Sequence, residues 1–222
     1  VTVLTTGSVG PGGGNIAVTA PLSWTTSNTL TLDAQDPGAA VTFYAPVSAP
    51  SGQLSIFANG DITNNVGAGT LSVHMLEARS ANGMALLGPN DVDKFAAFAG
   101  LGTITLDNTA PSLTVYTVGG TSGIDGNNGI LLNSTGPVSI DAPIHTNGFL
   151  TINATNTAIN HVSGAIYVAG TSSLHAGTAG VQIGGPAAAD LLGPVNLTGG
   201  GQVYAVSGPQ LDIASLNITA PN

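Results

Sequence analysis

Aliphatic residues alternate with Ser, Thr, Asn and Asp along most of the chain, in runs that are short and regularly interrupted. The pairs Ile16/Val18, Leu30/Leu32, Val41/Phe43, Leu54/Ile56 and Leu71/Val73 open the series. It continues at Ile104/Leu106, Leu113/Val115, Ile130/Leu132, Val138/Ile140 and Leu150/Ile152, then at Ile166/Val168, Val181/Ile183, Val195/Leu197, Leu211/Ile213 and Leu216/Ile218. Side chains alternate between the two faces of a strand, so each run predicts a strand with one buried face. The intervals hold Gly, Pro, Asn, Asp and Ser, the residues that tolerate tight turns.

Three stretches also share one wording. Ile16-Ala-Val-Thr-Ala-Pro-Leu22, Val41-Thr-Phe-Tyr-Ala-Pro-Val47 and Val138-Ser-Ile-Asp-Ala-Pro-Ile144 each read as a strand, an Ala-Pro corner and a further aliphatic. Each leads to a second strand ending in Ala: Leu30–Ala34, Leu54–Ala58 and Leu150–Ala154. A strand–corner–strand unit reused along one chain describes a solenoid. An antiparallel sandwich would space its strands similarly, but its hairpins favour two-residue Asn-Gly links, and Asn147-Gly148 is the one good candidate. The expected fold is therefore all-β, a parallel β-helix over residues 1–222. About 20 residues per coil would give about 11 coils, and a strand spacing of about 4.8 Å a rod about 50 Å long. The last residues, Leu216–Asn222, repeat the opening of the Ala-Pro wording, and neither end carries a polar cap. The chain is accordingly expected to be an internal segment of a longer one.

One segment breaks the alternation. Glu77 to Gly100 is expected to leave the rod as an excursion, with one or two helical turns over Asp91–Ala99 capped by Asn90 or Asp91. Val92, Phe95 and Phe98 would share one helical face. Excursions from a regular scaffold are where partner contacts concentrate, which makes Arg79, Asp91, Asp93, Lys94, Phe95 and Phe98 the candidate contact residues. Shorter excursions are expected at 119–129 and 184–193.

Charge narrows the classes of function. Eleven acids against two bases, Arg79 and Lys94, leave a formal charge of −9, and only 6% of residues are charged. Two isolated bases cannot displace the counterions of a nucleic acid or hold an anionic bilayer. No apolar run approaches the roughly 20 residues that span a membrane as a helix. There is no cysteine, so no disulfide staples the chain.

Gly14-Asn-Ile-Ala-Val-Thr-Ala-Pro-Leu-Ser-Trp24, followed by Asn28-Thr-Leu-Thr-Leu-Asp-Ala34, resembles the shaft of filamentous-haemagglutinin-type exoproteins. Gly60-Asp-Ile-Thr-Asn-Asn65, and Leu86–Lys94 followed by Gly102-Thr-Ile-Thr-Leu-Asp-Asn108, resemble turns and excursions of the same shafts. The resemblance implies a right-handed parallel β-helix at a bacterial cell surface, secreted through a dedicated outer-membrane barrel partner, with adhesion or biofilm roles. The amino-terminal secretion domain of that family has no counterpart here.

Candidate chemistry is sparse. Glycoside hydrolysis needs two facing carboxylates. Asp33/Asp36 lie in turn wording (Gln-Asp-Pro-Gly), and Asp91/Asp93 read as capping residues beside Lys94. Residues 142–189 hold no Asp, Glu, Lys or Arg. His74, His145, His161 and His175 have no metal-site spacing, and Gly123–Gly129 lacks the alternating acids of a calcium loop. No cofactor or metal is expected, and no enzyme. Scattered Thr-x-Thr pairs do not make the flat ladder of an ice-binding solenoid. Four sequons, at Asn133, Asn153, Asn196 and Asn217, are candidate glycosylation sites. The expected function is a structural shaft segment of a secreted bacterial surface adhesin, whose partners are neighbouring copies, the outer-membrane transporter, and host or matrix glycans or proteins. The alternative is a matrix filament whose units stack end to end, and a carbohydrate-active β-helix enzyme comes third.

Overall fold

The structure, a computed structural model, describes residues 1–6, 13–155, 157–177, 179–184, 189–199, 203–205 and 210–219. Among them there is no helix, and every strand pairing but one is parallel. The chain winds into a β-solenoid of about eight turns. That is fewer than the sequence spacing suggests, because several coils are long. Asn15 and Ala40, joined across one coil, are 25 residues apart, and Asp107 and Asn133 are 26 apart, against 20 for Asn133 and Asn153.

One side of the rod is regular throughout. Strands Ile16–Val18, Val41–Phe43, Ile62–Asn64, Thr103–Asn108, Gly129–Ser134, Phe149–Ala154 and Ser172–Ala176 lie in register, with the start of Met84–Ala99 filling the fourth rung. Their inward residues form vertical ladders, Ile16–Val41–Ile62–Met84–Ile104–Ile130–Leu150 and Leu86–Leu106–Leu132–Ile152–Leu174, all buried. Each coil covers the apolar face of its neighbours, so one core runs through the stack.

The rest of the cross-section changes along the rod. In the early coils a corner leads into a long strand: Val47–Ala58, Leu71–Ser80 and Met84–Ala99 pair from Gln53 to Ala58, Met75 to Ser80 and Lys94 to Ala99. Above Met84–Ala99 that long side splits. Leu113–Val115 takes Lys94 and Phe95, and Ile124–Gly126 takes Ala97 to Ala99. From there each coil carries two short strands, such as Val138–Ile140 and Ile144–Thr146, separated by a corner. The adjoining early ladder ends at Val92, whose N–H donates to Asn108 Oδ1 (2.9 Å) and whose carbonyl accepts from Asn108 Nδ2 (3.2 Å). A side-chain amide thus stands in for the next strand.

The split corrects two expectations. The Ala-Pro wording does not mark one place in the coil: Ala45-Pro46 turns between the regular side and the long strand, whereas Ala142-Pro143 turns inside the divided side. Leu150 therefore stacks in the column of Val41 and not in that of Leu54. Second, residues 77–100 are not an excursion and form no helix. Leu71–Ser80 and Met84–Ala99 are ordinary rungs. A helix over 91–99 would strip ladder partners from the coils on both sides, a larger loss than the weak helical preference of Phe-Ala-Ala-Phe can offset.

Candidate functional site

The excursion that does exist leaves the rod where the long side divides, over Ala96. Thr117–Val118 and Thr121–Ser122 pair antiparallel, the one such pair among the described residues. This hairpin folds back along the rod onto Glu77, which lies one rung below Ala96. The Glu77 carboxylate is buried and accepts three hydrogen bonds: from Ser55 Oγ (2.9 Å), the Gly120 backbone N–H (2.9 Å) and Thr121 Oγ1 (2.8 Å). Three donors replace the water the carboxylate loses. The turn needs glycine at position 119, where φ is +58° and a Cβ would overlap the Glu77 carboxylate. Ala96, small and fully buried, leaves room beneath.

Both bases of the chain flank this hairpin. Lys94 Nζ lies 4.7 Å from the centre of the Tyr116 ring, and Arg79 Nη1 lies 3.5 Å from Thr121 Oγ1 while its guanidinium sits 5.3 Å from the Phe98 ring centre. Arg79 belongs to an outward ladder, Phe57–Arg79–Phe98–Asp125–His145–Tyr167–Leu191, one residue per coil. Asp125 Oδ1 meets His145 Nδ1 at 2.8 Å, and the His145 and Tyr167 rings stack at 5.0 Å and 19°. These rings stack along the rod, so each covers its neighbour.

Of the candidate contact residues, Arg79 is exposed and Phe98 half-buried on this outer ladder. Phe95 is fully buried in the core and offers a partner nothing. Its expected place on a helical face fails because strand period two turns it inward, against Leu76 and Val115 in register. Asp91 accepts from Ser72 Oγ at 3.2 Å, and Asp93 Oδ2 meets His74 Nδ1 at 2.9 Å. Asp33 accepts from Gln35 Nε2 at 2.8 Å. Among the described residues no three His, Asp or Glu gather where a metal could be held.

The sequons fall on ladders. Asn153 Nδ2 donates to Asn133 Oδ1 (2.7 Å) and Asn133 Nδ2 to Asp107 Oδ1 (2.6 Å), so both amides already link coils. Asn196 continues the rod in register with Asn217, which is exposed. Within 119–129, Ile124–Gly126 is a solenoid strand and Asn147 Nδ2 donates to Asn127 Oδ1 at 3.0 Å. Residues 185–188 of the segment 184–193 lie outside the described residues.

Glu77 and the His161–Asp190 pair carry no local signal in the sequence, and Asn90, expected as a helix cap, holds a different place. Asn90 is fully buried: its Oδ1 accepts from Asn64 Nδ2 and the Leu71 N–H (both 3.0 Å), and its Nδ2 donates to the carbonyls of Leu86 and Asp107 (both 3.0 Å). His161 and Asp190 have fully buried side chains, with Nδ1 to Oδ2 at 3.1 Å. Burial pulls the His161 pKa down, but the Asp190 carboxylate and the Gly164 carbonyl outweigh it and leave the imidazole above its ordinary range. Compared with known proteins, the chain matches no family model, no curated protein and no solved structure.

Proposed function

We propose that this solenoid is a structural shaft of a large secreted bacterial surface adhesin, projecting or building an extracellular fibre in support of adhesion or biofilm formation. The observation that carries the reading is the vertical order of the rod: one aliphatic core and in-register parallel ladders pass through successive coils, with amide ladders outside. Such a stack resists bending and proteolysis because every rung is covered on both faces, which is the property a spacer needs. The resemblance of residues 14–24 and 28–34 to exoprotein shafts supports the address, and with it passage through an outer-membrane barrel. Side chains that reach outward round the hairpin, Arg79, Lys94 and Tyr116, are the surface offered to a host or matrix partner.

The test is immunogold electron microscopy of intact producing cells with antibodies to this chain. Label on surface fibres is expected without permeabilisation. Label only after lysis would sink the reading.

A further inference from the structure

Along the divided side of the rod, each coil passes a backbone N–H to a carbonyl of the next. Ala97 donates to Gly123 O (2.9 Å), Ile124 to Pro143 O (2.9 Å) and Ile144 to Ala165 O (3.0 Å). The next member departs from the series: the Ile166 N–H donates to a side chain, Asp190 Oδ1, at 2.8 Å. On this side of the rod, backbone pairing between the two coils begins at Tyr167 with Leu191. Asp190 is therefore a buried carboxylate spliced into the ladder. His161 stands beside it, at the end of Ala158–His161, with Nδ1 3.1 Å from Asp190 Oδ2 and Nε2 2.6 Å from the Gly164 carbonyl oxygen.

Both ring nitrogens of His161 thus face acceptors. A neutral imidazole carries one N–H and would turn a lone pair toward one of those oxygens. The imidazolium instead hydrogen-bonds the Gly164 carbonyl and sets a positive charge 3.1 Å from Asp190 Oδ2, an oxygen that has no hydrogen-bond partner of its own among the described residues. We propose that His161 and Asp190 form a pH-operated seam between two coils of the shaft, closed while His161 is protonated and loosened when it loses its proton. Deprotonation would leave the Asp190 carboxylate buried without its counter-charge, and the Ile166 contact that depends on that carboxylate would open with it.

Val138–Ile140 places Ile140 beneath His161 and leads into Asp141, whose carboxylate accepts the Ser139 hydroxyl. Gly180–Ile183 brings Val181, Gln182 and Ile183. His175, on Ser172–Ala176, is exposed, and Tyr167 and His145 stack on the outer ladder. The Asp190 charge acts on His161 and favours its protonated form. The direction follows: because the folded pKa is raised, the contribution is complete below about 6.5, the unfolded value, and is lost as pH rises through the folded value. The seam loosens in alkali and holds in mild acid.

The experiment is an NMR titration of the His161 ring in the whole chain, paired with hydrogen exchange at the Ile166 amide corrected for intrinsic rate. The expected result is a His161 midpoint above about 6.5 and a loss of Ile166 protection over the same pH interval. Asp190→Asn keeps an acceptor for Ile166 but removes the charge, so its protection should not change with pH across that interval. A wild-type midpoint at or below the ordinary value would overturn the seam. So would protection that stays flat through the midpoint, or a pH step that persists in Asp190→Asn.

Discussion

At the residue scale, the most constrained side chains are the polar ones inside the rod. Asn90 satisfies its whole amide within the core, at a corner where an apolar side chain would orphan the Leu71 N–H and the carbonyls of Leu86 and Asp107. Asn153 makes an amide bond of similar length, but on a half-exposed ladder where water can replace it. Asn90→Ala should therefore cost more than about 2 kcal/mol, since several buried groups lose partners at once, and Asn153→Ala less than about 1 kcal/mol. Urea midpoints of the two variants check the difference, and equal shifts would contradict it. In the apolar ladder, Leu106→Ala should cost about 2–5 kcal/mol, because Ile104, Leu86 and Leu132 are held by their own rungs and cannot close the cavity.

At the scale of elements, the hairpin 117–122 depends on a residue 44 positions away in sequence, Glu77 to Thr121. Glu77→Ala removes the acceptor for Gly120 and Thr121 and should release the hairpin while leaving the coils intact. Amide exchange at Gly120 should rise more than tenfold, equivalent to losing about 1.4 kcal/mol of local protection, with far-UV circular dichroism unchanged. Unaltered exchange would show that the turn stands without Glu77.

Strands such as Thr103–Asn108 and Val138–Ile140 were legible because each carries an aliphatic pair two residues apart that needs no distant partner to be read, whereas Ile62–Asn64, Ile124–Gly126 and Ile144–Thr146, with one aliphatic each, were not. Residues 77–100 were not, because Gly88-Pro89-Asn90-Asp91 reads locally as a turn and Phe95-Ala-Ala-Phe98 as a helix. What overrides both is the ladder on either side, information that no local window contains. The turn of the hairpin lies in the excursion expected at 119–129, but its docking on Glu77 was hidden for the related reason that only stacking brings positions 77 and 121 together. The pairing of His161 with Asp190 likewise crosses one coil, and coils of unequal length give no fixed spacing by which to find it.

At the scale of the molecule, register should survive the loss of a whole coil. Gly129 stacks on Phe149, and the same 20-residue offset holds along this strand pair to Ser134 and Ala154. Deleting residues 130–149 joins equivalent points of two coils and should shorten the rod by one strand spacing, about 4.8 Å, with its β content per residue retained. Small-angle scattering and circular dichroism measure both, and collapse of the β signal would contradict independent stacking of coils.

The vertical order of the solenoid can be measured directly with paired spin labels, because the chain has no cysteine. Thr42 and Ser173 lie on the outer face of the regular side, linked rung by rung through Thr63, Ala85, Thr105, Leu131 and Thr151. Six strand spacings separate them, about 29 Å. Electron double resonance between labels at these two positions should give one narrow distance near that value. A broad distribution, or a distance well below it, would contradict the stack.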